Sequence, residues 1–378
     1  MRGVMPPATD EAMGGSAVPL FGKFWDRVAP VSNAIRADAQ RSAQLDDHVA
    51  AQIRDGEPGL AIAIVKSGTV VHAAGYGLAD LSANVAIASD TIFHLASCGK
   101  QFTGLGILML AEAGKLGLDD PVSRHLPALS GFSAQVTIRR LLHHTSGIRD
   151  LYDEGGIAEV LSRCRRPANA DIVQTYVELG CPMARRGLAP GDAFNYSNSG
   201  YDLLGSVIER ASGQSYHDFF QGRVFDPLGM KDTFSAPDPR TNDPRCAPGY
   251  ALDESGSLID CGGSEYDDVV GSGSFYTTVN DLGRYEQALA SNALVSAASM
   301  QEALTSGRTN DGKPTGCGFG WYLGSDEGGR FADHQGEWIG YYSYIARYLD
   351  RPLSMFILSN HPRIDLAEVA TAASAIYR

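Results

Sequence analysis

The run from Phe102 to Ala113 constrains this chain more than any other stretch. Phe102, Leu105, Leu108, Met109 and Ala113 recur at helical spacing, and most positions between them are also apolar. A helix that is apolar nearly all round is stable only when wrapped on every side, so the chain must build a core around it. Directly before it stand Ser97 and Lys100, in Ala96-Ser97-Cys98-Gly99-Lys100-Gln101-Phe102-Thr103. The spacing predicts a helix from near Ser97 to near Gly117; residues three apart share a face, which aims the Lys100 amine at the Ser97 hydroxyl. A serine hydroxyl is a weak nucleophile until a neighbour takes its proton, and an amine does so once burial or another cation lowers its pKa. The helix N-terminus adds positive potential where negative charge would develop. Read locally, the same residues also fit an N-cap followed by a solvated lysine.

The chain has 378 residues, enough for one large or two ordinary domains. Its formal net charge of −13, with no basic run to offset it, sets aside nucleic acid and anionic membrane as partners. Cys98, Cys164, Cys181, Cys246, Cys261 and Cys317 form no C-x-x-C pair, so no zinc or dithiol redox motif is expected and they read as buried or half-buried thiols. Residues 1 to about 30, rich in Pro, Gly and Ala, read as an extension with Phe21, Phe24 and Trp25 as candidate anchors. The opening Met1-Arg2-Gly3-Val4-Met5-Pro6-Pro7 lacks the apolar core of a secretory signal, and no later segment nears the ~18 uninterrupted apolar residues of a membrane span. A cytoplasmic location is expected.

In chain order, Ile35, Ala39, Leu45, Val49 and Ile53 predict a helix over residues 32–54. Residues 60–65 and 69–74 predict a β-hairpin across Ser67-Gly68. Prolines then punctuate a mostly helical stretch to about residue 235, with a clear helix through Tyr201, Leu204, Val207, Ile208 and Ala211 ending at Gly213. Strand patterns return late: one ending at His334, then 341–348, then 353–359 after a turn at Asp350-Arg351-Pro352, with a last helix over 366–377. Strands at both ends with helices between predict one sheet assembled from distant segments, residues 31–92 and 265–378, with a mostly helical domain, 93–264, inserted.

Two further motifs carry chemistry. Phe194-Asn195-Tyr196-Ser197-Asn198-Ser199-Gly200 follows Pro190-Gly191-Asp192 in a turn-rich setting. A phenol near a lysine relays protons, and an asparagine two residues on can bind a substrate amide; alternatively, Tyr196 packs under the loop and Asn198 caps the helix. In Asp333-His334-Gln335-Gly336-Glu337, read as a strand edge, the glycine admits a substrate backbone and the following N–H can join that of Ser97 as an oxyanion hole.

Ser-x-x-Lys, Tyr-x-Asn and His-x-Gly, in this order, make the sequence resemble the serine β-lactamase and D-Ala-D-Ala peptidase superfamily, in its class C β-lactamase-like branch. The resemblance covers about residues 57 to 360 and extends to Leu141-Leu142-His143-His144-Thr145-Ser146-Gly147, Pro227-Leu228-Gly229-Met230 and Gly318-Phe319-Gly320-Trp321. It implies an α+β fold: an antiparallel sheet flanked by terminal helices, a helical domain packed on it, and the site in the groove between. It implies Ser97 as the acylated nucleophile, Lys100 and Tyr196 sharing acid and base duty, His334 as the catalytic residue of the third motif, Asn198 and Gly336 contacting substrate, and the Ser97 and Glu337 N–H groups as oxyanion hole, with no cofactor and no metal. His143 and His144 match a structural segment and read as loop-stabilising rather than metal ligands. His334 stands where many relatives have lysine, which removes a permanent cation suited to a substrate carboxylate. His-x-Gly variants of the family include D-aminopeptidases, D-amino-acid amidases, D-Ala-D-Ala peptidases and carboxylesterases. The expected function is therefore a serine hydrolase of small esters or D-amino-acid amides or short peptides, and Glu337 suits a substrate with a free amino group. A β-lactamase or carboxypeptidase, an acyltransferase and a non-catalytic peptide sensor are the alternatives.

Overall fold

The run Leu60 to Val65 is apolar at every position, which a strand tolerates only if both of its faces are covered. The computed structural model, which describes residues 39–184 and 189–378, shows both faces covered. Strand β1 (Leu60–Lys66) turns Leu60, Ile62 and Ile64 into one core and Ala61, Ala63 and Val65 into another. It forms the expected hairpin with β2 (Thr69–Tyr76), turning through Ser67 at φ 51° and Gly68 at φ 74°. Positive φ at both turn residues matches the right-handed twist of the strands they join.

Four late strands complete the sheet: β3 (Tyr322–Asp326), β4 (Gly329–Trp338), β5 (Tyr341–Tyr348) and β6 (Leu353–Ser359). The order is β3-β4-β5-β6-β1-β2, antiparallel throughout, with Leu60 opposite Ser359. The principal helices are α1 (Ala39–Ala50), α2 (Lys100–Glu112), α3 (Asn198–Ser212), α4 (Val279–Ala290) and α5 (Leu366–Ile376). On one sheet face α1 and α5 bury Leu45, Val49, Val369 and Ala373 against Leu60, Ile62 and Ile357. On the other, α4 brings Leu282, Tyr285 and Leu289 into the larger core that continues around α2. Every residue from Lys100 to Leu108 is buried there. Phe102 sits in its middle, stacked on Tyr285 at 4.3 Å between ring centroids and flanked by Phe275, Phe225 and Phe220 at 5.1, 6.0 and 6.5 Å.

Several boundaries differ from the sequence expectation. Residues 1–30, with Phe21, Phe24 and Trp25, and also Ile35, lie outside the described residues. The first described helix stops at Ala50 rather than Arg54, and α2 stops at Glu112 because Gly114 turns the chain at φ 66°. At its start α2 gives way to a 3₁₀ turn, Ala96–Gly99, so Ser97 precedes the α-helix rather than opening it. His334 lies within β4, which runs on to Trp338, and not at a strand end. Very short strands were not legible: Phe93–His94 and Phe234–Ser235, inside the stretch read as mostly helical, form a small sheet with Phe275–Thr277 from beyond it. Two or three residues cannot display a period of two. Among the described residues no helix is long and apolar enough to cross a membrane.

Replacing Phe102 by Ala leaves a void amid four aromatic rings, and the expected loss is about 3 to 5 kcal/mol of unfolding free energy. Urea denaturation checks this; an unshifted midpoint would show that the aromatic cluster is not the core the packing describes.

Candidate active site

Ser97 is held by its flanks. Ala96 adopts φ 49°, a left-handed conformation that costs a residue with a side chain about 1 to 3 kcal/mol, so the surroundings must impose it. They do so with buried hydrogen bonds: the Ala96 N–H donates to His94 Nδ1 at 3.1 Å, Ser343 Oγ donates to the Leu95 carbonyl at 2.7 Å, and Cys98 Sγ donates to the His334 carbonyl at 3.0 Å. The turn is thereby tied to β4 and β5. A Cβ added at Gly336 would lie 2.8 Å from the Leu95 oxygen and 2.3 Å from Ser343 Oγ, so only glycine lets β4 approach this closely. No side chain caps α2, so the Ser97 hydroxyl is not used as a cap.

Lys100 has no solvent exposure, and each of its three N–H bonds finds an acceptor: Ser97 Oγ at 3.0 Å, Asn198 Oδ1 at 2.7 Å and the Ser272 carbonyl at 2.8 Å. When the ammonium loses a proton, the two remaining hydrogens stay on Asn198 and Ser272, which cannot donate to nitrogen through those oxygens. The lone pair is then directed at Ser97, whose hydroxyl can reverse and donate to it. Burial drives Lys100 down to about 7, against the opposing pull of the Asp202 and Asp150 carboxylates.

Tyr196 and Asn198 arrive together from the loop leading into α3. Ser197, not Asn198, caps that helix, its Oγ accepting from the Gly200 N–H at 2.9 Å. Asp150 fixes the same turn by accepting from the Ser199 N–H at 3.0 Å and Ser199 Oγ at 2.7 Å. Asn198 thus spends Oδ1 on Lys100 and keeps its NH₂ for the cleft. The Lys100 nitrogen lies 4.9 Å from the Tyr196 ring centroid. Burial pushes the Tyr196 phenol upward, with a hydrogen bond to Ser97 opposing, so it is a neutral donor at ordinary pH. His144 stacks under it at 4.4 Å and accepts the Ser197 N–H at Nδ1, 3.1 Å. His143 shares a hydrogen at 2.9 Å with the Cys317 carbonyl. Both histidines therefore tie loops together.

His334 is 2 % exposed, and its Nδ1 lies 2.5 Å from the Gln335 carbonyl, which assigns the hydrogen to that nitrogen. Burial, reinforced by Lys100, drives its pKa down to about 3, so it is neutral. Pairing between β3 and β4 stops at Asp333, and from His334 onward β4 is paired on one side, with β5. Ser97, Asn198 and Glu337 line one cleft of about 430 Å³. Tyr152 and Tyr266 line it too, whereas Asp153 and Tyr341 do not. Asp153 is exposed, capping the helix Glu154–Leu161, and buried Tyr341 donates to the Ala247 carbonyl. Asp267, Trp338 and Ser272 also form the wall, with Trp338 Nε1 donating to Asp267 Oδ1 at 3.4 Å. Those three, and Asp202, escaped sequence reasoning. Asp202 had a signal: it stands four residues after Asn198 on one helix, so the two share a face.

A family model described as Beta-lactamase matches residues 42–376. Penicillin-binding protein 4* of Bacillus subtilis is 36% identical over 313 residues, which is 78% of this chain and 66% of that protein. A solved octameric penicillin-binding protein homologue from Pyrococcus abyssi superposes with a TM-score of 0.74 at 27% identity, covering 92% of this chain and 77% of its own. A D-stereospecific amidohydrolase from Streptomyces sp. does so with a TM-score of 0.67 at 25% identity, covering 88% and 98%. The chain thus spans just under two thirds of that curated relative.

An amine base is active when unprotonated, so kcat/KM is expected to rise with pH through about 7 and level off above it. His334→Gln is expected to keep that limb, since a histidine held near 3 contributes no titration there. A limb that disappears in His334→Gln would transfer the base role from Lys100 to the histidine.

Proposed function

The chain belongs to the β-lactamase family, and on that premise we propose that it is a serine hydrolase that cleaves small esters or D-amino-acid amides and short peptides through an acyl-enzyme on Ser97. What carries the reading is the Lys100 amine, fully buried and 3.0 Å from Ser97 Oγ, with both its other acceptors fixed by protein. In the proposed sequence Lys100 takes the Ser97 proton as Oγ attacks the substrate carbonyl. The oxyanion is received by the backbone N–H groups of Ser97 and Glu337. The proton then passes, through Lys100 and the Tyr196 hydroxyl, to the departing amine or alcohol. Water attacks the ester so formed, and the same groups return the proton to Ser97 Oγ. Tyr196 serves as relay rather than base because its burial opposes the phenolate. The Asn198 NH₂ and the backbone beside Gly336 align the acyl group.

Charge along the cleft supports a substrate with a free amino group. Among the described residues its wall carries Glu337 and Asp267 and neither lysine nor arginine, and His334 is neutral. A substrate carboxylate finds no fixed cation there, which disfavours β-lactams and C-terminal peptides, whereas an ammonium finds two acids. The Bacillus subtilis relative, a penicillin-binding protein by name, keeps the β-lactamase or carboxypeptidase reading in play, and turnover of penicillins tests it. All six cysteines are unpaired, the usage typical of a reducing compartment, which supports the cytoplasmic assignment.

Ser97→Ala is expected to lower kcat/KM on an activated ester by about 10³-fold or more, and Lys100→Ala by about 10² to 10⁴. D-Alanine p-nitroanilide with a free amine is expected to be cleaved about tenfold better than its N-acetyl form, with Glu337→Gln narrowing the gap. Equal rates on the two anilides would remove the amine preference, and undiminished ester cleavage by Ser97→Ala would remove the mechanism.

A further inference from the structure

Asp202 is the buried group that the reaction scheme above leaves without a task. It lies one turn beyond Asn198 on α3 and has no solvent exposure. Its Oδ1 accepts the Ser272 N–H at 3.1 Å, and the carbonyl of the same Ser272 accepts the Lys100 ammonium at 2.8 Å. Its Oδ2 is buried without a well-formed hydrogen bond, the Ser272 and Tyr152 side chains being the polar groups that approach the carboxyl. A buried carboxylate so weakly solvated is costly unless a nearby charge or a bound proton compensates.

The segment carrying Ser272 is fitted to this arrangement. Gly271 has φ 121°, and a Cβ there would lie 2.2 Å from the Tyr201 carbonyl oxygen, so α3 and this segment touch backbone to backbone. Asn169 clamps the contact from behind, donating to the Asp202 and Val270 carbonyls at 2.7 and 2.8 Å and accepting the Val270 N–H at 2.7 Å. Shape alone would place Ser272; a carboxylic acid is not needed for that.

We propose that Asp202 is a positioning residue for Lys100: it holds the Ser272 carbonyl against the amine and provides the counter-charge that decides where the mobile proton of the site resides. The inference rests on the acyl-enzyme reading. The charged or titratable groups acting on this carboxyl are Lys100 from α2, Asp150 and Tyr152 from the loop after Gly147, and Tyr176, Tyr216 and Tyr266. Burial pushes all four tyrosines upward, so they are neutral, and Lys100 is the one cation among these groups. Asp150 is a weaker counter-ion because Ser199 and Ser197 already donate three hydrogen bonds to its Oδ1. Burial raises Asp202 while it lowers Lys100, which brings the two into one range and lets a single proton be shared between them. When Ser97 gives its proton to Lys100, the ammonium forms beside a carboxylate rather than in bare interior. When the proton moves on to the leaving group, Asp202 favours its return to the amine.

Asp202→Asn keeps an oxygen for the Ser272 N–H and removes only the charge. Without that charge the Lys100 ammonium is harder to keep, so the acid limb of kcat/KM is expected to move down by about one to three pH units. A merely structural role would lower the rate at every pH and leave the limb in place. The experiment measures the pH profile of p-nitrophenyl acetate hydrolysis for wild type and Asp202→Asn, with mass spectrometry of the Ser97 adduct in both. Adduct formation with an unmoved limb overturns this proposal alone. Wild type that forms no adduct on Ser97 overturns the acyl-enzyme reading and this inference with it. Should Asp202→Asn not fold, NMR of wild type labelled with ¹⁵N-lysine and ¹³C-aspartate gives the answer. One aspartate carboxyl is expected to titrate together with the Lys100 nitrogen, and titration of every aspartate below about pH 5 would overturn the proposal.

Discussion

A lysine nitrogen sealed from water needs an acceptor for every hydrogen, and Lys100 is such a nitrogen. That requirement orders the architecture around it. One acceptor is Ser97, held in place by the strained Ala96 and the contacts that pin it to β4 and β5. Another is Asn198, delivered by the capped start of α3. The last is the Ser272 carbonyl, threaded against α3 where Gly271 permits it. The turn pinned to the sheet, the start of α3 and the segment carrying Ser272 each contribute one oxygen, so the amine is satisfied only when all three parts of the fold are in register. The chemistry and the tertiary packing are in this sense one constraint.

The same enclosure sets the polarity of the site. His334 is buried and neutral, so the third motif contributes an aromatic wall toward Tyr196 and Tyr322 and no charge. The Lys100 amine lies behind Ser97 and Asn198, while the cleft wall carries the Asp267 and Glu337 carboxylates. In the proposed reaction that separation would orient a substrate whose carbonyl oxygen is electron-rich and whose far end is cationic.

Much of this was legible in the sequence because it is local. The hairpin at Ser67-Gly68 and the runs 341–348 and 353–359 follow from apolar runs and a turn dipeptide, and they appear with nearly those limits. Ser97 and Lys100, three residues apart, reveal their pairing by spacing, and the helix behind them by its apolarity. Tyr196, Asn198 and His334 entered through pattern resemblance, and the fold brings them together around Lys100. What escaped is what depends on convergence: Asp267, Ser272 and Trp338 carry no periodic signal, and their place on the cleft wall is decided by segments far away in sequence. The start of α2 was misjudged for a related reason, since a positive φ at Ala96 is imposed by partners as distant as Ser343.

The register of β1 against β6 has a bearing on how the chain reaches this state. Leu60 and Ser359 are neighbours in the sheet although some 300 residues separate them. During synthesis β1 and β2 emerge from the ribosome long before β5 and β6 exist, and the Leu60 to Val65 run then has an unpaired edge and two uncovered faces. Such a run has high β-propensity and no charge, the composition that favours association with other strands. Closing so long a loop is also slow. The first half of the chain must therefore remain soluble as an unfinished sheet for most of its translation, a period in which a holding chaperone would protect it from aggregation.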